Sequence, residues 1–148
     1  MATVEAAVEL AEPLADVGEL FFAADRWPAW VDQFAAVVSA DGYPEAGGRL
    51  VWRSTAAGRG QVTERVTAHE PRSLHVVEYE DPESAGTLET RFEIVPGPEP
   101  VTRVRQRLTY GLSGGGPLAP ITDFLFIRGQ MRGSLERSLG ALRLEANG

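Results

Sequence analysis

The sequence contains no cysteine, which excludes disulfides, thiolate metal sites and a cysteine nucleophile. It contains no lysine either, since all 14 basic residues are arginine, and that excludes Schiff-base chemistry on a lysine side chain. Histidine occurs only at His69 and His75, too few for a His-rich zinc or iron site, so no metal is expected. Cations are outnumbered: 21 acidic residues leave a net charge of −7. Nucleic acid is therefore an unsuitable partner, because phosphate binding needs a basic face. No apolar run reaches spanning length, so no membrane insertion is expected. The start, Met1-Ala-Thr-Val-Glu, lacks the basic and apolar regions of a signal peptide, and the cytoplasm is the expected location.

What is present suits one globular unit. The 148 residues, 43% of them apolar, are enough for a real core, and a single domain over 1–148 is expected. Monomer and homodimer both remain open. Val4, Ala6, Val8 and Leu10 alternate with Glu5 and Glu9, the pattern of a half-buried strand. Pro13 suits a helix start, and Val17, Leu20, Phe21 and Ala24 follow at helical spacing. Trp27-Pro28 is expected to interrupt this helix, with Trp30, Val31 and Phe34 continuing as a second short one.

A strand starting at Val37 leads to a Gly/Pro loop, Asp41 to Gly48. Strands are then expected over 49–55, 61–69, 74–81, 87–95 and 101–112. Ser113-Gly-Gly-Gly116 reads as a gate or linker; it lacks the Gly-Lys-Ser/Thr end of a phosphate loop. From Pro117 to Ala146 the pattern is helical, with Ile121, Phe124, Arg128, Met131, Leu135, Leu139 and Leu142 on one stripe. A meander closed by one long helix makes a sheet gripping a helix. Such a pair leaves a cavity for a small, mostly apolar molecule.

Period-two alternation assigns the sheet faces. Leu88, Thr90, Phe92 and Ile94 share an inner face with Thr102, Val104, Gln106, Leu108 and Tyr110. The outer face then opposes Glu93 to Arg103 and Glu89 to Arg107. Earlier strands contribute an inner set of Leu50, Trp52, Ser54, Val62, Glu64, Val66, Leu74, Val76 and Glu78.

Glu64, between Val62 and Val66, is the candidate acid–base group, because an apolar surround raises a carboxyl pKa. A slip of one residue would instead turn it to water or to an arginine. Glu78, Thr90 and Gln106 are expected in one row, with Tyr110 beyond, either orienting a ligand carbonyl or satisfying one another. Trp27, Trp30, Trp52, Phe92, Phe124, Met131 and Leu135 are candidate walls, with core packing favoured for Trp27 and Phe124. Arg128 either binds an anionic group at the mouth or snorkels to solvent. His69 and His75 are expected to face each other on the outer surface; with the opposite parity His69 becomes the best general base.

Three stretches carry a family likeness: Asp25-Arg-Trp-Pro-Ala-Trp30, Glu64 to Leu74, and Ser134-Leu-Glu-Arg-Ser-Leu-Gly-Ala-Leu-Arg143, together with Val4–Leu10 before Pro13. In this order the chain resembles the START-like (SRPBCC) helix-grip superfamily, and within it the polyketide cyclase/dehydrase family. The resemblance implies an α+β helix-grip fold: a curved antiparallel sheet of six or seven strands, two short helices after the first, and a long C-terminal helix over an apolar cavity. Aromatase/cyclases of this kind carry an arginine at the end of the fourth strand, where this chain has His69.

The leading expectation is binding of a small hydrophobic or polyketide-like molecule, with cofactor-free cyclisation or dehydration of the lyase or isomerase type. Glu64 would shuttle protons while Gln106 and Tyr110 hold carbonyl oxygens, and orientation would supply much of the acceleration. The alternatives are a non-catalytic carrier or sensor of a lipid or aromatic metabolite, and a protein-interaction module with a filled cavity.

Overall fold

The structure is a computed structural model that describes residues 1–56, 58–112 and 121–147, with the side chains of 121–124 outside the description. Ser113–Gly116, Pro117 and the side chains of Ile121 and Phe124 therefore lie outside the described residues. Seven strands run β1 (Ala2–Leu10), β2 (Phe34–Asp41), β3 (Arg49–Ser54), β4 (Gln61–Glu70), β5 (Leu74–Glu80), β6 (Ser84–Val95) and β7 (Val101–Leu112). Between β1 and β2 stand α1 (Leu14–Phe22) and a 3₁₀ helix, Ala24–Ala29; α2 (Ile121–Asn147) follows β7.

The strands form one antiparallel sheet ordered β1-β7-β6-β5-β4-β3-β2. Only the β1–β7 pairing is non-consecutive, and it puts the first strand beside the last. The sheet curves around α2, the helix-grip arrangement. Leu135, Leu139 and Leu142 of α2 are buried against Val4, Leu10, Val104 and Leu108 of the inner face.

The last hairpin has the register that alternation requires. Thr90 lies opposite Gln106, Phe92 opposite Val104, Glu93 opposite Arg103 and Glu89 opposite Arg107. On the outer face Arg103 bonds Glu9 at 2.7 Å and approaches Glu93 at 3.6 Å. These exposed pairs are worth about 0–1 kcal/mol each and act on register more than on stability.

Two expectations are corrected. Trp27-Pro28 lies inside the 3₁₀ helix and does not break it, and Phe34 opens β2 and is not helical. Trp27 is held there by its indole N–H, which donates to the Phe21 carbonyl at 2.8 Å. The second correction concerns β5. The β4–β5 register shifts between Val66 and Ala68, leaving Thr67 as the extra residue of a bulge. The inner residues of β5 are consequently His75, Val77 and Tyr79, while Leu74, Val76 and Glu78 turn outward. Glu78 is exposed and pairs with Arg65 at 2.7 Å.

Two glycines are steric requirements. A Cβ on Gly48 would lie 2.4 Å from the Gly42 carbonyl oxygen, and one on Gly86 would lie 1.9 Å from that of Thr109. The first closes the 42–48 loop, which bonds β4 from Gly47 N–H to Val66 O and from Val66 N–H to Gly48 O, both at 2.9 Å. Gly86→Ala is expected to cost about 1–3 kcal/mol by forcing β6 and β7 apart, measured by chemical denaturation.

Candidate functional site

Between the sheet and α2 lie two adjoining chambers of about 100 Å³ and about 70 Å³. Arg59, Glu64, Val77, Leu88, Ser134 and Leu135 border both. The larger is completed chiefly by Trp30, Tyr43, Trp52, His75, Thr90 and Gln106, and the smaller by Val62, Tyr79, Leu108 and Met131.

Glu64 sits at the junction. Its place on β4, opposite Leu50 and Tyr79, turns the carboxyl inward, where the Trp52 indole N–H donates to Oε2 at 2.8 Å. The residue is half-buried, and its side chain borders both chambers. Burial holds its pKa above the ordinary 4.5; the Trp52 bond and the Arg59 charge pull the other way and only partly offset it.

Tyr43 belongs to the Asp41–Gly48 loop, to which the sequence pattern assigns no site residue. The Gly42–Gly48 closure brings it to the chamber wall, where burial and then the Glu64 charge raise its pKa well above 10. His75 was expected outside. The bulge at Thr67 turns it in, so that it is 4% exposed and lies level with Thr90. Its Nδ1 stands 3.0 Å from Nδ1 of His69, and Phe22 packs edge-on to both rings at 5.0 and 4.8 Å. Burial, then the neighbouring His69, lowers the His75 pKa to about 4.

The polar row expected from Glu78, Thr90 and Gln106 instead runs His75–Thr90–Gln106. In it the Gln106 amide donates to Thr90 Oγ1 at 3.2 Å. Of the other sequence-derived residues, Trp30, Trp52 and Leu135 border the larger chamber, and Leu135 and Met131 the smaller. Phe92 is buried behind the wall, against Phe21 and Phe22. Tyr110 is buried but borders neither chamber. Arg128 is half-buried, close enough for its charge to lower the Tyr110 pKa against the larger upward effect of burial.

Two ion pairs frame the cavity. Arg59 Nε donates to Asp81 at 2.7 Å while its guanidinium lies 4.9 Å from the Tyr79 ring centre. Asp32 accepts from Ser134 Oγ at 2.8 Å and from Arg137 at 3.1 Å, and its backbone N–H donates to Ser138 Oγ at 2.8 Å. This second cluster clamps the segment after the 3₁₀ helix onto α2. Among the described residues, Trp30 Nε1, His75 Nε2 and Tyr110 Oη are buried without a hydrogen-bond partner. Such orphans each cost about 1–3 kcal/mol and call for an explanation. Two of the three belong to side chains bordering the larger chamber.

Residues 1–147 match the family model described as polyketide cyclase / dehydrase and lipid transport. The chain belongs to this family. No curated protein sequence matches it. Among solved structures, the Zhui aromatase/cyclase of a Streptomyces species is similar at a TM-score of 0.75 and 15% identity, over 99% of this chain and 93% of that one. A Thermus thermophilus protein superposes at 0.71 and 19% identity, over 99% and 97%. Norcoclaurine synthase from Thalictrum flavum, in complex with dopamine and hydroxybenzaldehyde, superposes at 0.68 and 13%, over 99% and 86%. Likeness at these identities carries the polyketide cyclase/dehydrase chain's fold and not its chemistry.

Glu64 and His75 make opposite demands on stability. Glu64 has a raised folded-state pKa, so the folded form binds more protons than the unfolded, and stability falls as pH rises from 4.5 through the folded value. Glu64→Gln is expected to gain stability relative to the parent over that window and to match it below. His75 has a depressed pKa, about 4 against 6.5, so its contribution is present above pH 6.5 and lost as pH falls toward 4. His75→Phe should flatten that acid limb. Denaturation across pH 3.5–8 checks both.

Proposed function

We propose that this member of the polyketide cyclase/dehydrase family binds a small, mostly apolar carbonyl compound and catalyses its cyclisation or dehydration, with Glu64 moving the protons and no cofactor. The observation that carries the proposal is a buried carboxyl at the junction of two apolar-walled chambers, its pKa raised by burial and its orientation held by Trp52. A carboxyl so tuned is a better base toward a weakly acidic C–H than one in water, and a usable acid nearer neutral pH.

Size narrows the substrate class. An apolar cavity of about 150 Å³ holds one benzene. The chambers, about 100 Å³ and 70 Å³, suit a single ring with a short oxygenated side chain better than an extended poly-ketone. In that pose the ring lies among Trp30, Trp52 and Leu135, and the carbonyl oxygen is held by the Tyr43 hydroxyl or the Gln106 amide. Tyr110 borders neither chamber, so the carbonyl-holding role falls to Tyr43. Apolar walls exclude water from the reacting carbons and strengthen each polar contact made there.

The probe is the β-hydroxy ketone formed from acetone and benzaldehyde, which loses water to give the ultraviolet-absorbing benzylideneacetone. The parent protein is expected to accelerate this loss. Glu64→Gln should lower kcat at least about 100-fold while benzylideneacetone affinity, read by tryptophan fluorescence, changes less than about threefold. Binding without turnover by the parent, or equal turnover by the variant, would return the site to the carrier or sensor reading.

A further inference from the structure

Elimination of water needs two proton movements: one proton leaves carbon and another joins the departing hydroxide. Glu64 supplies one group. A second has to reach the same chamber from elsewhere and be reset after each turnover. Among the described residues the larger chamber is bordered by one imidazole, that of His75.

His75 does not stand alone. Its Nδ1 and that of His69 are 3.0 Å apart. Two nitrogens at that distance share a proton: one ring carries it on Nδ1 and the other offers a lone pair. His69 is half-buried at the outer end of β4, whereas His75 is buried, with Nε2 lacking any protein partner. The pair thus runs from a half-buried ring to one in the chamber wall. Phe22 packs edge-on to both rings and Tyr43 edge-on to His75 at 5.6 Å, so neither imidazole is free to turn away. Glu64 and His75 stand on neighbouring strands, with Glu64 opposite Tyr79. The four-residue offset along β5 is about 13 Å, room for a substrate between their inward side chains.

We propose that His69 and His75 form a two-ring proton relay from solvent to the cavity, with Nε2 of His75 as the second acid–base atom of the site, a role that rests on the dehydration reading above. The Glu64 carboxylate removes the proton α to the carbonyl. The released electron pair forms the C=C bond as the C–O bond breaks, and the leaving hydroxide takes the Nε2 proton of His75 and departs as water. In the same movement His75 Nδ1 takes the Nδ1 proton of His69, whose Nε2 is reprotonated by solvent. Glu64 then passes its proton, through water refilling the emptied chamber, to Nε2 of His75, while His75 Nδ1 returns its proton to His69 Nδ1 and His69 Nε2 releases one to solvent. The sum is loss of one water, with the carboxylate and both ring tautomers restored. The low pKa of His75 agrees with this, since a neutral ring is the form that can accept on one nitrogen while donating from the other.

Two measurements test the relay, and the first needs no turnover. Long-range ¹H–¹⁵N correlation on the ring-labelled protein at pH 7 should show His69 protonated on Nδ1 and His75 on Nε2, with the His75 Nε2 resonance moving when benzylideneacetone is added. Both rings protonated only on Nε2, the reverse tautomer in His75, or a His75 resonance indifferent to the probe overturns the relay, whether or not the dehydration reading holds. The second is kinetic. His69→Gln keeps a hydrogen bond to His75 but cannot pass a proton along, and His69→Phe keeps the packing against Phe22. Each should lower kcat about 100-fold with KM within about threefold, and should turn a curved dependence of kcat on solvent deuterium content into a straight one. Parental kcat in His69→Gln would make the pair structural and reject the relay. No turnover of the probe by the parent protein rejects the dehydration reading alone and leaves the tautomer experiment to decide the relay.

Discussion

The inner face of the sheet has to be covered, and α2 does most of the covering. Its 27 residues run about 40 Å, long enough to cross the concave face. It packs most closely on β1, the strand that pairs β7 and brings the start of the chain beside its end. Leu135, Leu139 and Leu142 fill the space over β1 and β7. Over β3 to β5 α2 makes no approach as close. The two chambers are what remains, with α1 and the 3₁₀ helix closing the far side through Phe21, Trp27 and Trp30.

A cavity bounded this way is stable only if its polar groups are kept in position. The charged residues around it are paired off. Arg59 lies on Asp81, whose other oxygen accepts the Glu83 and Ser84 N–H groups at 2.8 Å. Asp32 is held between Ser134 and Arg137. Glu64 is the exception: Trp52 donates one hydrogen bond, and Arg59 acts on it by charge. The cost of burying that carboxyl appears as its raised pKa, which is also what makes it useful in proton transfer. The orphan nitrogens of Trp30 and His75 belong to the same economy. They are polar atoms left without protein partners beside a space of ligand size, and a carbonyl or hydroxyl group would satisfy them.

Much of the architecture was legible because it rests on periodicity. Alternation in Leu88–Ile94 and Thr102–Tyr110 set the last hairpin, and its charged outer face followed. Glu64 faced inward as the Val62–Val66 alternation required. The helical stripe of Met131, Leu135, Leu139 and Leu142 was equally plain. The error on β5 has one cause: parity was carried unbroken across the β4–β5 turn, and the extra residue at Thr67 reverses it. No local residue preference announces that bulge. It coincides with Val66 being clasped by Gly47 and Gly48 of a distant loop, a contact between segments that neighbour only in space. The same loop placed Tyr43, whose one legible sign was an aromatic side chain in a Gly/Pro-rich turn.

The sequence by itself therefore determined the order of elements, the helix that must be gripped, the charged outer face and one inward carboxylate. Each of these depends on side-chain period or composition within a single segment. Tertiary structure decided which face of β5 meets the cavity, that Tyr43 and His75 join Glu64, that Glu78 and Tyr110 stand apart from the chambers, and how large those chambers are. These depend on a bulge, a glycine-closed loop and the curvature of the sheet, which arise only when segments distant in the chain press against one another.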